Sequence, residues 1–122
     1  MATIIPESKI QQEIVTWFNN TYCLKHHTPR YLIYSIPNGI PVKLPPEIMA
    51  RALDLLNKTG MLKGVSDLEI RTDKLTINVE VKAETKQSPS QIEFQNRLEQ
   101  LGGIYLIVYS LEDFKKQIER YL

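Results

Sequence analysis

Two carboxylates and an ammonium, Asp67, Glu80 and Lys82, fall in two short segments that read as paired strands, SDLEIR at 66–71 and LTINVEVK at 75–82. In the second segment Leu75, Ile77, Val79 and Val81 share one face; Thr76, Asn78, Glu80 and Lys82 share the other. In the first, Leu68 and Ile70 alternate with Asp67, Glu69 and Arg71. Burying both apolar sets together requires Leu68 opposite Val79 and Ile70 opposite Ile77. That register sets Asp67 opposite Glu80. A two-residue turn at Asp73-Lys74 gives the same pairing, because it places Thr72 opposite Leu75. Opposed residues have Cβ atoms about 4.5–5.5 Å apart. Two carboxylates so close repel unless something positive lies between them, and oxygen-only ligands suit Mg²⁺ or Mn²⁺. Lys82 lies on the same face as Glu80.

Phosphodiester hydrolysis uses such parts. The ion polarises the phosphoryl oxygens and lowers the pKa of a bound water. The lysine orients that water and offsets charge on the five-coordinate phosphorus. Val81 lies between Glu80 and Lys82, so its carbonyl is a further candidate ligand. Taken alone, however, Glu-x-Lys is a weak motif. A half-exposed strand reads polar on one face, and a solvated face is the simpler account of these three residues by themselves.

Several elements must position the acids. A first helix is expected over Glu7–Asn20, with Ile10, Ile14, Val15, Trp17 and Phe18 in one stripe. Glu7 projects onto the middle of that stripe and Glu13 onto its edge. A core-facing carboxylate needs a partner, but Glu7 also suits the first turn, where an acid favours the helix dipole. A β-rich run, Tyr31–Ile36, ends at the turn signal Pro37-Asn38-Gly39. Pro45-Pro46 opens a helix with Ile48, Ala52, Leu55 and Leu56 at helical spacing, and Gly60 is its stop. The acidic hairpin follows. Ser88-Pro89 starts a third helix, closed by Gly102-Gly103. Ile104–Tyr109 is a near-continuous apolar run, the mark of a strand covered on both faces. Ser110 caps a last helix, with Asp113 in a capping-box-like pattern. The order predicts an α/β domain, a mixed β-sheet flanked by α-helices.

The length of 122 residues suits one domain spanning 1–122. A single cysteine, Cys23, excludes an internal disulfide framework and fits a reducing compartment. No apolar run approaches the roughly 18 residues of a membrane span, and the N-terminus does not read as a signal peptide. A cytoplasmic protein is expected. The net charge is +1, so any nucleic-acid contact must come from local patches, or from a dimer that pools two of them.

Read together, Lys63-Gly64-Val65-Ser66-Asp67-Leu68, Val79-Glu80-Val81-Lys82, Ser88-Pro89-Ser90-Gln91 and Leu101-Gly102-Gly103 resemble the VRR-NUC family, virus-type replication-repair nucleases of the PD-(D/E)xK superfamily. Glu7-Ser8-Lys9-Ile10-Gln11 is similar to that family's N-terminal helix motif, and Pro37-Asn38-Gly39 to its central loop. The resemblance covers nearly the whole chain. It implies a restriction-endonuclease-like core and a Mg²⁺- or Mn²⁺-dependent DNA nuclease. Carried over, Asp67 and Glu80 bind metal and Lys82 is the catalytic lysine. Gln91 positions the lysine or the attacking water. Glu7, rather than Glu13, reaches the site directly or through a metal-bound water. The family's usual proline before the aspartate is Ser66 here; that proline contributes no metal ligand, so the change is expected to be tolerated. Members consisting of this domain alone resemble junction-cleaving homodimers, and a phage or prophage origin fits the family. Two other outcomes stay open: a DNA-binding module without catalysis, and a nuclease acting on linear DNA.

The remaining polar and aromatic residues have plainer readings. His26 and His27, beside Lys25 and Arg30, suit a basic loop better than a zinc site. Trp17 and the tyrosines read as core or interface. Lys86 reads equally as a phosphate contact or a surface lysine. Arg51, Lys58 and Lys63 read as surface charges, and Cys23 as a buried thiol.

Overall fold

A computed structural model of the chain describes residues 6–40 and 42–122. Helix α1 runs over Glu7–Tyr22, two residues beyond the expected end. It buries Ile10, Ile14 and Phe18, the centre of the predicted stripe. Strand β1 (Leu32–Ser35) is followed by α2 (Pro46–Lys58), which Thr59 ends and Gly60 follows at φ +111. Strands β2 (Leu68–Arg71) and β3 (Thr76–Val81) form the hairpin. Helix α3 (Pro89–Gln100), strand β4 (Ile104–Val108) and helix α4 (Leu111–Ile118) complete the chain, with a 3-10 turn at Glu119–Tyr121.

The sheet order is β1-β2-β3-β4. Neighbours β1–β2 and β2–β3 are antiparallel, while β3–β4 are parallel. A parallel pair needs a crossover, and α3 supplies it. The hairpin register is the predicted one: Leu68 pairs with Val79 and Ile70 with Ile77. Its turn closes through Thr72 N donating to Leu75 O at 2.9 Å. The Thr72 hydroxyl also accepts from Lys74 N and Leu75 N, which fixes the two-residue loop.

The core lies on the apolar side of the sheet. Ile10, Ile14 and Phe18 of α1 and Phe114 and Ile118 of α4 meet Leu68, Ile70, Ile77, Val79, Val81, Leu106 and Val108. Helix α3 lies on the other face, where Phe94 packs near Tyr105 and Gln91 reaches Glu80. The result is a mixed sheet between helices.

Burial separates readings that the strand and helix patterns alone leave open. The polar face of β3 is not a solvated face: Asn78, Glu80 and Lys82 are all buried. A strand inside the sheet, with helices over both faces, buries whatever side chains it carries. Helix α2 goes the other way. Its apolar residues keep helical spacing, yet none is fully buried, and among the described residues its backbone comes close to no other helix or strand. Cys23 is half-buried rather than buried; burial raises its thiol pKa and the nearby Arg30 lowers it.

Candidate functional site

The β2–β3 ladder stops at Leu68, one residue short of Asp67. Extending its alternation makes Val81 the next residue to point its N–H toward β2. That N–H is taken by the Asp67 carboxylate, Oδ2, at 2.8 Å. The Asp67 carbonyl accepts from Ile36 N at 3.0 Å. The side chain thus ends the ladder and lies beside Glu80, its predicted neighbour. In a strand a residue's N–H and C=O point the same way, so the Val81 carbonyl also faces the Asp67 side.

Glu80 is 1% exposed. Gln91 Nε2 donates to its Oε2 at 3.0 Å. Its other oxygen, Oε1, is buried and accepts no hydrogen bond. Burial is the main force pushing this carboxyl up to about 8, and the Asp67 charge and hydrogen bond come next. Lys82 opposes the shift and Glu7 adds to it. A buried polar atom without a partner is rare and costs about 1–3 kcal/mol. An oxygen-seeking cation would satisfy it.

Gln91 is held by the start of α3. Ser88 Oγ accepts from Gln91 N at 3.3 Å, and Gln91 Oε1 accepts from Ser88 N at 2.8 Å. This capping box leaves the Gln91 amide nitrogen free to turn toward Glu80. Gln91 therefore contacts the acid Glu80 directly; the resemblance assigns it to positioning the lysine or the attacking water. Gly64 lets the preceding loop close on the same helix turn. Its φ is +84, and a Cβ there would land on the Ser90 carbonyl. At the far end, Ser110 Oγ accepts from Asp113 N, while Asp113 Oδ2 accepts from Tyr109 N, one residue before the cap.

Glu7 also comes to this end of the sheet. Its Oε1 accepts from Thr85 Oγ1 at 2.9 Å and from Ala83 N at 3.4 Å, just past Lys82. The α1 N-terminus thereby clamps the loop after β3. Lys82 is 7% exposed, and its own N–H donates to Val108 O. Among the described residues the ion pairs are Lys58–Asp54, Arg71–Glu69 and Lys115–Glu112, so Lys82 belongs to none.

Sequence reasoning missed the wall of this site. Tyr105 pairs with Asn78 across β4 and β3, and its hydroxyl accepts from Gln87 Nε2 at 3.3 Å. Gln87 also donates to Gln95 at 3.0 Å, tying the loop after Lys82 to α3. Burial first, then the Glu80 charge, pushes the Tyr105 hydroxyl up to about 12. The signal was the tyrosine inside an otherwise aliphatic strand. His26 and Lys86 are exposed; His27 Nδ1 lies 2.7 Å from Pro29 O, with its ring against Tyr22 and Tyr31.

The four-stranded mixed sheet, flanked by helices and carrying its acids past the end of β2, defines an α/β fold with a restriction-endonuclease-like core. A solved structure described as a VRR_NUC domain protein shares it, with a TM-score of 0.72 over 99% of this chain and 91% of that chain. The two sequences are 16% identical, so the likeness is one of fold. No family model matches the chain, and no curated protein does. No helix among the described residues is long and apolar enough to cross a membrane.

Proposed function

We propose that this chain is a metal-dependent DNA endonuclease that cuts branched or four-way-junction DNA as a homodimer. The observation that carries the chemistry is the buried Glu80 carboxyl, one oxygen of which accepts no hydrogen bond, beside Asp67 and Lys82. A solvated strand face would present none of these features. The fold neighbour's VRR_NUC description supports the same reaction class.

Asp67, Glu80 and the Val81 carbonyl would hold Mg²⁺ or Mn²⁺. Among the described residues no three His, Cys, Asp or Glu side chains form a ready ligand group. Main-chain oxygen and water would therefore complete the shell, as suits a hard cation that keeps several waters. Glu7 would act through such a water, since its carboxylate already serves Ala83 and Thr85. When bound, the ion would polarise the phosphate and acidify a water. Lys82 would orient the nucleophile and meet charge developing on phosphorus. Gln91 would fix the Glu80 carboxylate by holding Oε2.

The homodimer is supported by α2, whose Ile48 and Leu55 are exposed among the described residues. The near-neutral charge is a second support, because two copies would pool their basic surface.

The test is a labelled four-way junction incubated with Mn²⁺ or with EDTA, beside a linear duplex and the Lys82→Ala variant. Cutting should require Mn²⁺ and fall on the order of a hundredfold in the variant. Binding without cutting under every ion tried would make the chain a DNA-binding module. Equal cutting of the linear duplex would remove the preference for branches.

A further inference from the structure

Ser66 stands directly before Asp67 and is fully buried. Its hydroxyl donates to Leu68 O at 3.3 Å and accepts from Asn78 Nδ2 at 2.9 Å. Asn78, 7% exposed, is on β3 two residues before Glu80 and on the same face. A buried bond thus joins the residue next to one acid to the strand position beneath the other.

Asp67 needs such an anchor. It lies past the last rung of the β2–β3 ladder, so β3 holds it only through its own carboxylate on Val81 N. Rotation of the chain between Ser66 and Leu68 would swing that carboxylate off Val81 and away from Glu80. A proline at this position would stiffen the turn through its ring. Serine has no such constraint, but its hydroxyl bridges the turn internally to Leu68 O and externally to Asn78. In buried surroundings a satisfied hydrogen bond is directional and costly to break.

We propose that Ser66 and Asn78 are a positioning pair: their hydrogen bond fixes the Ser66–Leu68 turn and thereby sets the Asp67 carboxylate against the Val81 N–H and beside Glu80. The catalytic consequence rests on the nuclease reading above; the geometric part does not. Both side chains spend their hydrogen bonds on each other and on Leu68 O, so the pair acts through Asp67.

The test starts with amide hydrogen exchange by NMR on the metal-free protein, for wild type, Ser66→Ala and Asn78→Ala. Val79 N–H points to the same side of β3 but pairs with Leu68, so it reports general loosening. Val81 should exchange about tenfold faster relative to Val79 in both variants. Ser66→Thr, which keeps the hydroxyl, should preserve the wild-type ratio. Mn²⁺ affinity should fall about tenfold in the two alanine variants, as for other residues that orient metal ligands. Junction cutting should lose kcat with an unchanged KM. An unchanged Val81-to-Val79 ratio overturns the pair, even if both variants melt earlier. Should Asn78→Ala fail to fold, Ser66→Ala removes one oxygen and decides alone. A wild type that neither binds Mn²⁺ nor cuts would end the nuclease reading, and the exchange ratio would still decide the pair.

Discussion

At the scale of the residue, Glu80 carries the tension of the site. Burial and then Asp67 hold its carboxyl at about 8, against an ordinary value of 4.5. Between those two values the metal-free fold keeps a proton that the unfolded chain has released. Stability of the metal-free protein should therefore fall as pH rises through that window, with the loss complete above its upper end. A divalent ion bound as proposed would displace the proton, so Mn²⁺ affinity should rise over the same range. Calorimetry in EDTA and in Mn²⁺ would show both trends. Glu80→Gln should flatten the metal-free profile, raise the melting temperature at the alkaline end and abolish cutting. A wild type equally stable across the window would contradict the burial argument. The acids and the lysine were legible because strand alternation and a short turn leave one register that buries both apolar sets. The hydrogen bonds around them were not. Gln91 caps its helix with one amide atom and holds Glu80 with the other, and no spacing rule states which. Glu7 meets Ala83 and Thr85 across most of the chain's length. Ser66 and Asn78 look like ordinary polar strand residues until both are found buried.

At the scale of the element, the site depends on how the loop before β2 meets the first turn of α3. Gly64 makes that approach possible, since its φ is +84 and the Ser90 carbonyl fills the place of a side chain. Gly64→Ala should cost on the order of 2 kcal/mol through strain and displacement. Because the displaced turn carries Gln91, cutting at a temperature where the variant is fully folded should also fall. Thermal melts beside single-turnover rates would separate the two effects; loss of stability with an unchanged rate would show that the α3 turn tolerates displacement. Periodicity found α1, α2, β2 and β3, while start and stop residues found α3 and the apolar or β-rich runs found β4 and β1. Outside the β2–β3 hairpin, these signals assigned no element its neighbour. That is why the polar face of β3, taken by itself, suited solvent as well as a site, although helices lie over both of its faces. The same gap hid the parallel β3–β4 pairing, which is set by the α3 crossover and not by any strand's own pattern.

At the scale of the whole molecule, α2 is the helix that the described residues leave most exposed. An isolated helix of its length, 13 residues, is marginal in water. Its first turn is favoured by Pro46 and Glu47, but a stripe holding Ile48, Ala52 and Leu55 would gain far more from being covered. Burying a leucine contributes about 1.5–3 kcal/mol. In a two-fold interface each such residue is used twice. If a second copy covers this face, Leu55→Glu places two charges into the interface and removes two apolar contacts. The dimer should then weaken by at least about a hundredfold, which corresponds to roughly 2.8 kcal/mol. Sedimentation across a concentration series would measure it. The acid cluster lies at the other elements' junction, so the monomeric variant should keep Mn²⁺ affinity. It should lose paired cutting of both strands of a junction and retain slow nicking of one. A wild type that sediments as a monomer at all concentrations would remove the homodimer from the proposal. The exposed face of α2 would then have to be a surface for the branched DNA itself or for another protein.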